Sequence, residues 1–415
     1  MSEKKNVPKL RFPEFTEPWE QRKLGDMGST FNGLSGKTKD DFGHGEAKFI
    51  TYMNVFSNPI ADLTMTESIE IDKKQKSVKA GDVFFTTSSE TPDEVGMSSV
   101  MPEDADNIYL NSFCFGYRPT EKFDLNYLAY VLRADSFRKE MTFLAQGISR
   151  YNISKNKVME VCIPVPTIEE QTKVGRYFRN LDHLITLHQR KLDHVKDLKK
   201  SMLQKMFPKN GQLYPEVRFP EFTDAWEQRK LGDVLVLLKD GTHGTHKDSE
   251  SGPLLLSAKN IKNGTIQWDE SDRRISEDEY NNIHSNFKLQ KGDVLLTIVG
   301  SIGETAILSQ SKGVTFQRSV AFLRPSDKIS SEFLYSEIQG QKFQKALNVR
   351  KSTSAQPGIY LGDLGTIPIE FPTSDEEQMQ IGSYFQNLDN LITLHQRELD
   401  HLKLLKKGML QQMFV

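Results

Sequence analysis

The architecture of this chain follows from residues 169–207, which read EEQTKVGRYFRNLDHLITLHQRKLDHVKDLKKSMLQKMF. The segment returns at residues 376–414 as EEQMQIGSYFQNLDNLITLHQRELDHLKLLKKGMLQQMF, with 28 of 39 positions identical at an offset of 207 residues. A shorter box shows the same offset: LRFPEFTEPWEQRKLGD at 10–26 recurs at 217–233 with 14 of 17 positions identical. The chain therefore consists of two copies of one module, which share a frame and differ in what lies between its parts.

Both copies of the long segment have the periodicity of an amphipathic helix. In the first copy, apolar residues recur at positions 174, 178, 181, 185, 192, 195, 202 and 206, a spacing that forms one apolar stripe. Thr167 and Ser374 precede paired glutamates and are typical N-caps. At about 1.5 Å per residue, each helix is roughly 55 Å long. Because such a stripe needs a partner, and the linker 208–215 carries turn residues, the sequence predicts that the two helices pack antiparallel.

Polar residues mark two further features of the helices. His188 and His395 interrupt the stripe in identical TLHQR contexts, and a polar seam residue commonly fixes helix register, which we favour over a metal or catalytic role. Residues 169–207 carry nine basic and five acidic side chains, whereas the second copy carries four and five. Contact with phosphate and simple solvation are both open for the basic face of the first helix, which comprises Arg190, Lys196, Lys199 and Lys200.

The two variable regions differ in sequence but follow the same course. β-rich stretches at 47–55, 82–88 and 111–118 precede a helical stretch at 126–144, and corresponding stretches lie at 254–261, 293–299, 319–324 and 331–347. The expected fold class is α+β, with two globular mixed α/β domains separated by two long antiparallel coiled-coil helices and an internal twofold repeat. The expected domains are a docking segment (1–26), a first variable domain (27–166), a central helix (167–207), a linker with the repeated docking segment (208–233), a second variable domain (234–372) and a C-terminal helix (373–415).

Composition limits the class of protein. The chain has 415 residues with 54 basic and 56 acidic side chains and a formal net charge of −2, which excludes a generally basic nucleic-acid coat but allows local basic surfaces. Cys114 and Cys162 lack the spacing of a zinc site or a disulfide framework. No stretch resembles a signal peptide or approaches the roughly 18 apolar residues of a membrane span. We therefore expect a soluble, cytoplasmic protein.

No complete catalytic motif is present in the sequence. A methyltransferase acting on an exocyclic amine would need an Asn/Asp-Pro-Pro-aromatic loop, and the chain contains no Pro-Pro pair. Gly36-Lys37-Thr38 matches the end of a phosphate-binding loop, but Phe31 stands where that motif requires glycine. His243 and His246 have no third metal ligand at a useful spacing. We therefore expect neither a catalytic site nor a metal site.

Three polar, glycine-bearing loops recur at matching places in the two variable regions. They comprise residues 32–39 and 239–247, 86–90 and 297–301, and 146–152 and 350–356. Their Lys, Arg, Ser, Thr, Asn and Gln side chains are the donors and acceptors that contact phosphates and base edges. Ordinary solvated loops share this composition, so DNA contact and simple solvation both fit any one loop.

Taken in order, these motifs resemble those of the specificity subunits of type I restriction-modification systems. The similarity rests on W-E-Q-R-K-L-G-D at 19–26 and 226–233, K-x-G-D-V at 79–83 (KGDV, without the x, at 291–294), I-P-x-P at 163–166, and E-E-Q at 169–171 and 376–378. The second proline-containing strand, at 367–372, matches more loosely. The resemblance covers essentially the whole chain, and its specific feature is the order of the motifs, doubled around variable domains.

The resemblance implies a non-catalytic DNA reader with two target recognition domains, each binding one half of a split asymmetric site in double-stranded DNA. The helices would space the half-sites and dock two modification subunits, which use S-adenosylmethionine to methylate N6 of adenine. Two restriction subunits, which need ATP and Mg²⁺, would join to translocate and cut unmodified DNA. The chain itself would need no cofactor, and base flipping by the modification subunits would follow from the buried position of N6 in a duplex.

Loop position nominates the DNA-binding residues. In the first domain they are Lys37, Lys39, Ser88, Ser89, Arg150, Tyr151 and Asn152. In the second they are Thr242, His243, Thr245, His246, Ser301, Lys351, Ser354 and Gln356. For docking of the partner subunits we nominate the helix faces together with Phe12, Phe15, Trp19, Phe219, Phe222 and Trp226.

Two other classes of function compete with this interpretation. A protein-interaction scaffold, with tandem modules on a coiled-coil hairpin, would show no sequence-dependent retention of duplex DNA. A self-sufficient nuclease or methyltransferase would act as the purified chain alone, and the missing motifs count against it.

In a specificity subunit, the helices would set the number of unread base pairs, so a length change within residues 181–202 would alter that gap and leave both half-sites intact.

Overall fold

The computed structural model describes residues 6–209, 211–352 and 357–414. These residues form two compact units. The first unit combines Met1–His188 with Glu398–Val415, and the second consists of Gln189–Arg397. Each unit therefore contains one variable region, part of the long helix that follows it and part of the long helix from the other repeat.

The first unit is built from short strands and helices. Its strands are β1 (Glu20–Lys23), β2 (Gly28–Asn32), β3 (Phe42–Ile50), β4 (Thr66–Ile69), β5 (Val83–Thr86), β6 (Ser88–Ser89), β7 (Ser98–Val100), β8 (Ile108–Leu110), β9 (Cys114–Pro119), β10 (Tyr151–Asn152) and β11 (Cys162–Val165). Its helices are α1 (Tyr52–Ser57), α2 (Leu125–Val131), α3 (Asp135–Leu144), α4 (Lys155–Met159) and the beginning of α5 (Ile168–Lys205).

The second unit repeats this plan. Its strands are β12 (Glu227–Lys230), β13 (Leu235–Asp240), β14 (Leu254–Leu256), β15 (Ile261–Lys262), β16 (Thr265–Ile266), β17 (Val294–Thr297), β18 (Thr305–Ile307), β19 (Val314–Phe316), β20 (Val320–Pro325) and β21 (Pro368–Phe371). Its helices are α6 (Glu277–Ile283), α7 (Ser331–Gln339), α8 (Gln341–Val349), α9 (Leu361–Gly365) and most of α10 (Asp375–Gln412).

Sheet topology confirms that the two variable regions share one fold. A four-stranded antiparallel sheet has the order β2-β9-β5-β7 in the first unit and β13-β20-β17-β18 in the second. Each unit also contains one parallel pair, β3 with β8 and β14 with β19. The shared box forms an edge pair with the last strand of its own repeat, β1 with β11 and β12 with β21. The mixed α+β class predicted from sequence is therefore correct.

The helical stretches predicted at 126–144 and 331–347 are each divided into two helices. Between α2 and α3, Ala134 has extended backbone angles (φ −67°, ψ 153°), and Gly340 plays the same part between α7 and α8 (φ −57°, ψ 143°). In the first unit the break places Arg133 where its buried guanidinium donates to the carbonyls of Ser98, Val55, Phe56 and Asn58. The spacing of apolar residues does not reveal such a break, because apolar residues occur on both sides of it in the sequence.

The predicted N-caps and antiparallel packing of the long helices are observed within each unit. The Thr167 hydroxyl accepts from the Glu170 amide, and the Ser374 hydroxyl accepts from the Glu377 amide. In the first unit, Lys406 donates to Asp182 at 2.5 Å and His188 Nδ1 lies 3.0 Å from Glu398. In these two pairs the residue number increases along α5 while it decreases along α10, so the two helix segments are antiparallel.

The end of each long helix supplies an aromatic residue to a core that contains the other repeat's domain. In the first unit the ring of Phe414 lies 6.4 Å from Trp19, 5.7 Å from Tyr127 and 5.5 Å from Phe178. In the second unit the ring of Phe207 occupies the equivalent place. It lies 5.9 Å from Trp226, 5.6 Å from Phe333 and 5.8 Å from Phe385.

A buried Arg–Trp–Glu cluster ties the repeated box to the start of each long helix. In the first unit, Glu170 accepts two hydrogen bonds from Arg11 and one from the Trp19 indole. The second unit repeats the cluster with Glu377, Arg218 and Trp226. Both carboxylates lie in the first helical turn, where the helix dipole favours negative charge.

The cluster changes the interpretation of the predicted docking aromatics. Trp19 and Trp226 are only 2% and 1% exposed, so they pack the chain on itself and their indoles are not available to a partner subunit. Phe12, Phe15, Phe219 and Phe222 are half-buried.

Among the described residues, no helix combines the length and apolar character needed to cross a membrane.

Candidate nucleic-acid interface

In the first unit, two of the three predicted loops meet. β6 pairs with β10, so that Ser89 lies opposite Tyr151 and Ser88 opposite Asn152. The side chains of the two serines are buried, and Ser89 donates to Glu94 at 3.2 Å. Ser88 and Ser89 therefore hold the two loops together and do not present their hydroxyls on the surface. Of the residues nominated in these loops, Arg150 and Asn152 are exposed and Tyr151 is half-buried.

The loop at 146–152 is a tight, closed turn with an apolar tip. Reciprocal backbone hydrogen bonds join Gln146 and Asn152 at 2.9 and 2.8 Å. Gly147 adopts φ 149°, and a Cβ atom there would lie 2.0 Å from the Arg150 carbonyl, so the turn requires glycine. Ile148, between them, is 96% exposed. An apolar side chain beside an arginine at a rigid loop tip is suited to contact with a thymine methyl group or with a base step.

An open cavity of about 670 Å³ lies beside this turn and is lined by Tyr52, Met53, Phe56, Ser88, Ser89, Glu90, Glu94, Ser149 and Arg150. The rings of Tyr52 and Phe56 stack with centroids 6.1 Å apart. The Tyr52 hydroxyl donates to the Ser88 carbonyl at 2.7 Å, and burial raises its pKa. The cavity combines aromatic faces with one arginine and two carboxylates, so it offers both donors and acceptors to base edges.

The first loop of the first unit, residues 32–39, is fixed by contacts with the segment that contains Asp72 and Gln75. Lys37 forms an ion pair with Asp72 at 2.9 Å and lowers the pKa of that carboxyl to about 2. The Gln75 side chain exchanges two hydrogen bonds with the backbone of Ser35. Lys37 is thus engaged within the domain, whereas Lys39 is exposed in the turn that follows.

In the second unit, the loop after β17 meets the segment before α9 in the same manner. Val299 pairs with Gly358, and the Ile359 amide donates to the Ile298 carbonyl at 2.9 Å. Ser301 is exposed and Lys351 half-buried. The other two residues nominated in these loops, Ser354 and Gln356, lie outside the described residues.

The histidines of the remaining loop have partners within the domain. His246 bridges the Thr242 hydroxyl at 2.6 Å and the Glu279 carboxylate at 2.7 Å, and its side chain is 10% exposed. His243 lies 2.6 Å from Asp240 but is largely exposed, as is Thr245. The loop therefore offers His243 and Thr245 to a ligand, while Thr242 and His246 fix its shape.

Several residues of this surface were not nominated from sequence. Ile148 lies inside a nominated loop, and its apolar character in a polar loop was the available signal. Tyr52, Met53, Phe56 and Glu94 lie outside the nominated loops, and only the fold brings them to this surface.

The long helices expose a repeated pair of leucines. Leu184 and Leu187 on α5 are 40% and 38% exposed, and the equivalent Leu391 and Leu394 on α10 are 42% and 49% exposed. Because this pair recurs at equivalent positions of both repeats, it is a candidate surface for binding another protein.

Comparisons with known proteins identify the family of this chain. The family described as the type I restriction modification DNA specificity domain matches residues 16–197 and again 223–404. A curated relative, the type I restriction enzyme MjaVIII specificity subunit of Methanocaldococcus jannaschii, is 28% identical over 292 residues, covering 68% of this chain and 67% of the relative.

Two solved structures share the fold. The crystal structure of a type I restriction-modification S subunit from M. genitalium superimposes with a TM-score of 0.63 at 14% identity, covering 99% of both chains. A chain from a structural study of complex assembly and conformational transition of the type I system superimposes with a TM-score of 0.54 at 19% identity, covering 94% of this chain and 96% of that one. Since the family match spans most of the chain, the protein belongs to the type I restriction-modification DNA specificity family and carries its domain twice.

Proposed function

We propose that this chain is the DNA-recognition subunit of a type I restriction-modification complex, in which each variable domain reads one half of a bipartite target. One observation carries the proposal: the two repeats share identical structural clusters, such as Arg11–Trp19–Glu170 and Arg218–Trp226–Glu377, but differ in the sequence of their loops. A frame repeated within one chain suits partners that are the same on both sides. Divergent loops on that frame suit two different half-sites.

In the first domain, the reading surface consists of the Ile148–Arg150 turn, Asn152 and the neighbouring cavity. In the second domain it consists of the loop that contains His243 and Thr245 together with Ser301 and Lys351. The exposed donors on these loops contact phosphates and base edges. Ser354 and Gln356 remain nominated on sequence alone, as do Lys37 and Lys39 at the margin of the first surface.

The long helices space the two domains along the DNA and bind two modification subunits. The exposed leucines Leu184, Leu187, Leu391 and Leu394 give each repeat a similar apolar surface, supported by the half-buried phenylalanines of the two boxes. The modification subunits use S-adenosylmethionine to methylate adenine N6, and two restriction subunits use ATP and Mg²⁺. The chain itself is non-catalytic and acts in the cytoplasm.

Mapping of N6-methyladenine across the genome tests the proposal in cells with and without this chain. We expect a bipartite methylated motif that disappears when the chain is removed. Replacement of residues 234–372 by the second domain of another specificity subunit should change one half of the motif and leave the other half intact. An unchanged methylation pattern in the deletion strain would show that the chain is not a DNA-recognition subunit, and would favour the protein-interaction scaffold.

A further inference from the structure

A cleft of about 580 Å³ in the second unit lies between the end of α5 and the variable domain. From α5 it is lined by Lys196, Lys199, Lys200, Leu203 and Gln204. From the domain it is lined chiefly by Ile302, Gly303, Glu304 and Thr305 and by the amides of Gln339, Gln341 and Gln344. The cleft thus joins a basic helix surface to the loop that follows Ser301.

The lysines of this cleft divide into one that is engaged and two that are exposed. Lys199 forms an ion pair with Asp389 at 2.5 Å and also donates to Gln339. Lys196 and Lys200, one turn apart on α5, are exposed. Glu304 and Asp389 are the carboxylates of the lining, and because Asp389 is neutralised by Lys199, the remaining charge of the cleft is positive.

The residues that line the cleft from α5 recur at equivalent positions of α10, whereas the two variable domains differ in sequence. Lys196, Lys199 and Lys200 recur on α10 as Lys403, Lys406 and Lys407. In the first unit Lys406 is bound to Asp182, as Lys199 is to Asp389, and Lys403 and Lys407 are exposed. A ligand recognised in the same way beside two unlike reading surfaces has to be independent of base sequence. The phosphate backbone of DNA has this property.

We propose that Lys196 and Lys200, and equally Lys403 and Lys407, bind DNA phosphates adjacent to the half-site read by the domain of the same unit. The inference rests on the proposed function and adds a sequence-independent site to it. The paired lysines Lys199 and Lys406 are positioned by their aspartates and take no part in the site.

The experiment uses the full chain assembled with its modification subunits and a duplex that bears the mapped bipartite target. The double variant Lys196→Ala/Lys200→Ala is compared with Lys191→Ala/Lys205→Ala, which removes the same charge from α5 at about 140° to 180° around the helix. Affinity is measured between roughly 50 and 200 mM salt. We expect the slope of log K against log salt to become shallower by about 2 in the first variant only, with the preferred half-sites unchanged.

A second arm tests the phosphates directly. Neutral methylphosphonate linkages beside the second half-site should make the affinity of the unsubstituted complex less dependent on salt. The same linkages should cause little further change in the salt dependence of the Lys196→Ala/Lys200→Ala variant. The matched variant Lys403→Ala/Lys407→Ala should respond in the same way to linkages beside the first half-site.

Two outcomes would overturn the inference. One is an equal slope of log K against log salt for the Lys196→Ala/Lys200→Ala variant and for the unsubstituted complex. The other is a loss of assembly with the modification subunits in the absence of DNA, which would show that the lysines bind an acidic protein surface. If the unsubstituted complex fails to prefer the bipartite duplex at all, the proposed function itself fails, and that result is distinguishable from both.

Discussion

The indole Nε1 of Trp226 lies 3.1 Å from Oε1 of Glu377 and donates a hydrogen bond to it, while Arg218 binds the same carboxylate through two nitrogens at 2.7 and 2.8 Å. Glu377 is 1% exposed and lies in the first turn of α10. Loss of this one charge would leave the Arg218 guanidinium largely buried and without its partner.

The substitution Glu377→Gln should therefore lower the free energy of unfolding of the second unit by about 3–5 kcal/mol, the range for breaking one side of a buried ion pair. The matched control is Glu376→Gln, which removes an exposed carboxylate from the same helical turn and should leave the free energy of unfolding nearly unchanged, because an exposed charge is screened by solvent. Urea denaturation followed by hydrogen exchange in each unit measures both effects. Equal effects of the two variants would show that the cluster does not stabilise the unit.

Glu337 gives the second unit a dependence on pH. Burial on α7 raises its pKa to about 8, the Glu370 carboxylate acts in the same direction, and Lys342 opposes both. Because the pKa of Glu337 is raised in the folded state, its protonated carboxyl stabilises that state fully when the pH is below 4.5, the ordinary pKa of a glutamate. This contribution is lost as the pH rises from that value through about 8.

We expect the free energy of unfolding of the second unit to fall across this range with a slope approaching about 1.4 kcal/mol per pH unit from this group. Glu337→Gln should remove this part of the slope. Denaturation midpoints between pH 5 and 8 provide the measurement, and Glu332→Gln on the same helix is the control that should keep it. A slope that survives in Glu337→Gln would assign the dependence to other groups.

Arg150 is expected to act on the first half-site alone. Arg150→Ala should weaken binding of the cognate duplex by about 1–3 kcal/mol and relax one position of that half-site, the behaviour of a lost base contact. The mirror control is Lys351→Ala, whose effect should be confined to the second half-site. Methylation mapping and binding to duplexes changed at single positions report both. A uniform loss across all sequences would instead make Arg150 a phosphate contact.

Helix length should set the gap between the half-sites. Asp182–Lys406 and Lys199–Asp389 each join α5 to α10 within one unit, so an insertion has to be made in both helices to keep both contacts. Seven residues added after His188 and seven after Arg397 lengthen each helix by about 10 Å, close to two full turns. At about 3.4 Å per base pair, the methylated motif should gain about three unread base pairs with its half-sites unchanged. Altered half-sites would refute the division between spacing helices and reading domains.

The internal repeat made the helices and the shared fold of the two variable regions predictable. Contacts between residues distant in sequence could not be predicted. Helix caps at Thr167 and Ser374, the antiparallel helix segments and the shared variable fold follow from periodicity and from the offset between copies. The contact between Arg11 and Glu170 could not be derived, since nothing in either local pattern links residues so distant in sequence. The divisions at Ala134 and Gly340 were hidden for a different reason, because apolar residues occur on both sides of each break in the sequence.

Within the candidate interface, loop position was predictable and side-chain role was not. The sequence identified the loops at 86–90 and 146–152, but their pairing buries Ser88 and Ser89 and leaves Ile148 as the exposed tip. Thr242 and His246 were nominated as donors to DNA, yet they hydrogen-bond to each other. Composition shows which hydrogen-bonding groups a loop contains, whereas burial decides which of these groups can contact a ligand.

The placement of Phe414 has a consequence for the order in which the protein matures on the ribosome. All of the second unit, Gln189–Arg397, is synthesised before the ribosome reaches the residues that complete the first. Trp19, Tyr127 and Phe178 are made early, but the ring that packs against them arrives almost four hundred residues after Trp19. The aromatic core of the first unit can therefore be completed only after the second unit has been synthesised, in contrast to the usual N-terminal-first order, and a chain that lacks Phe414 leaves that core without one of its rings.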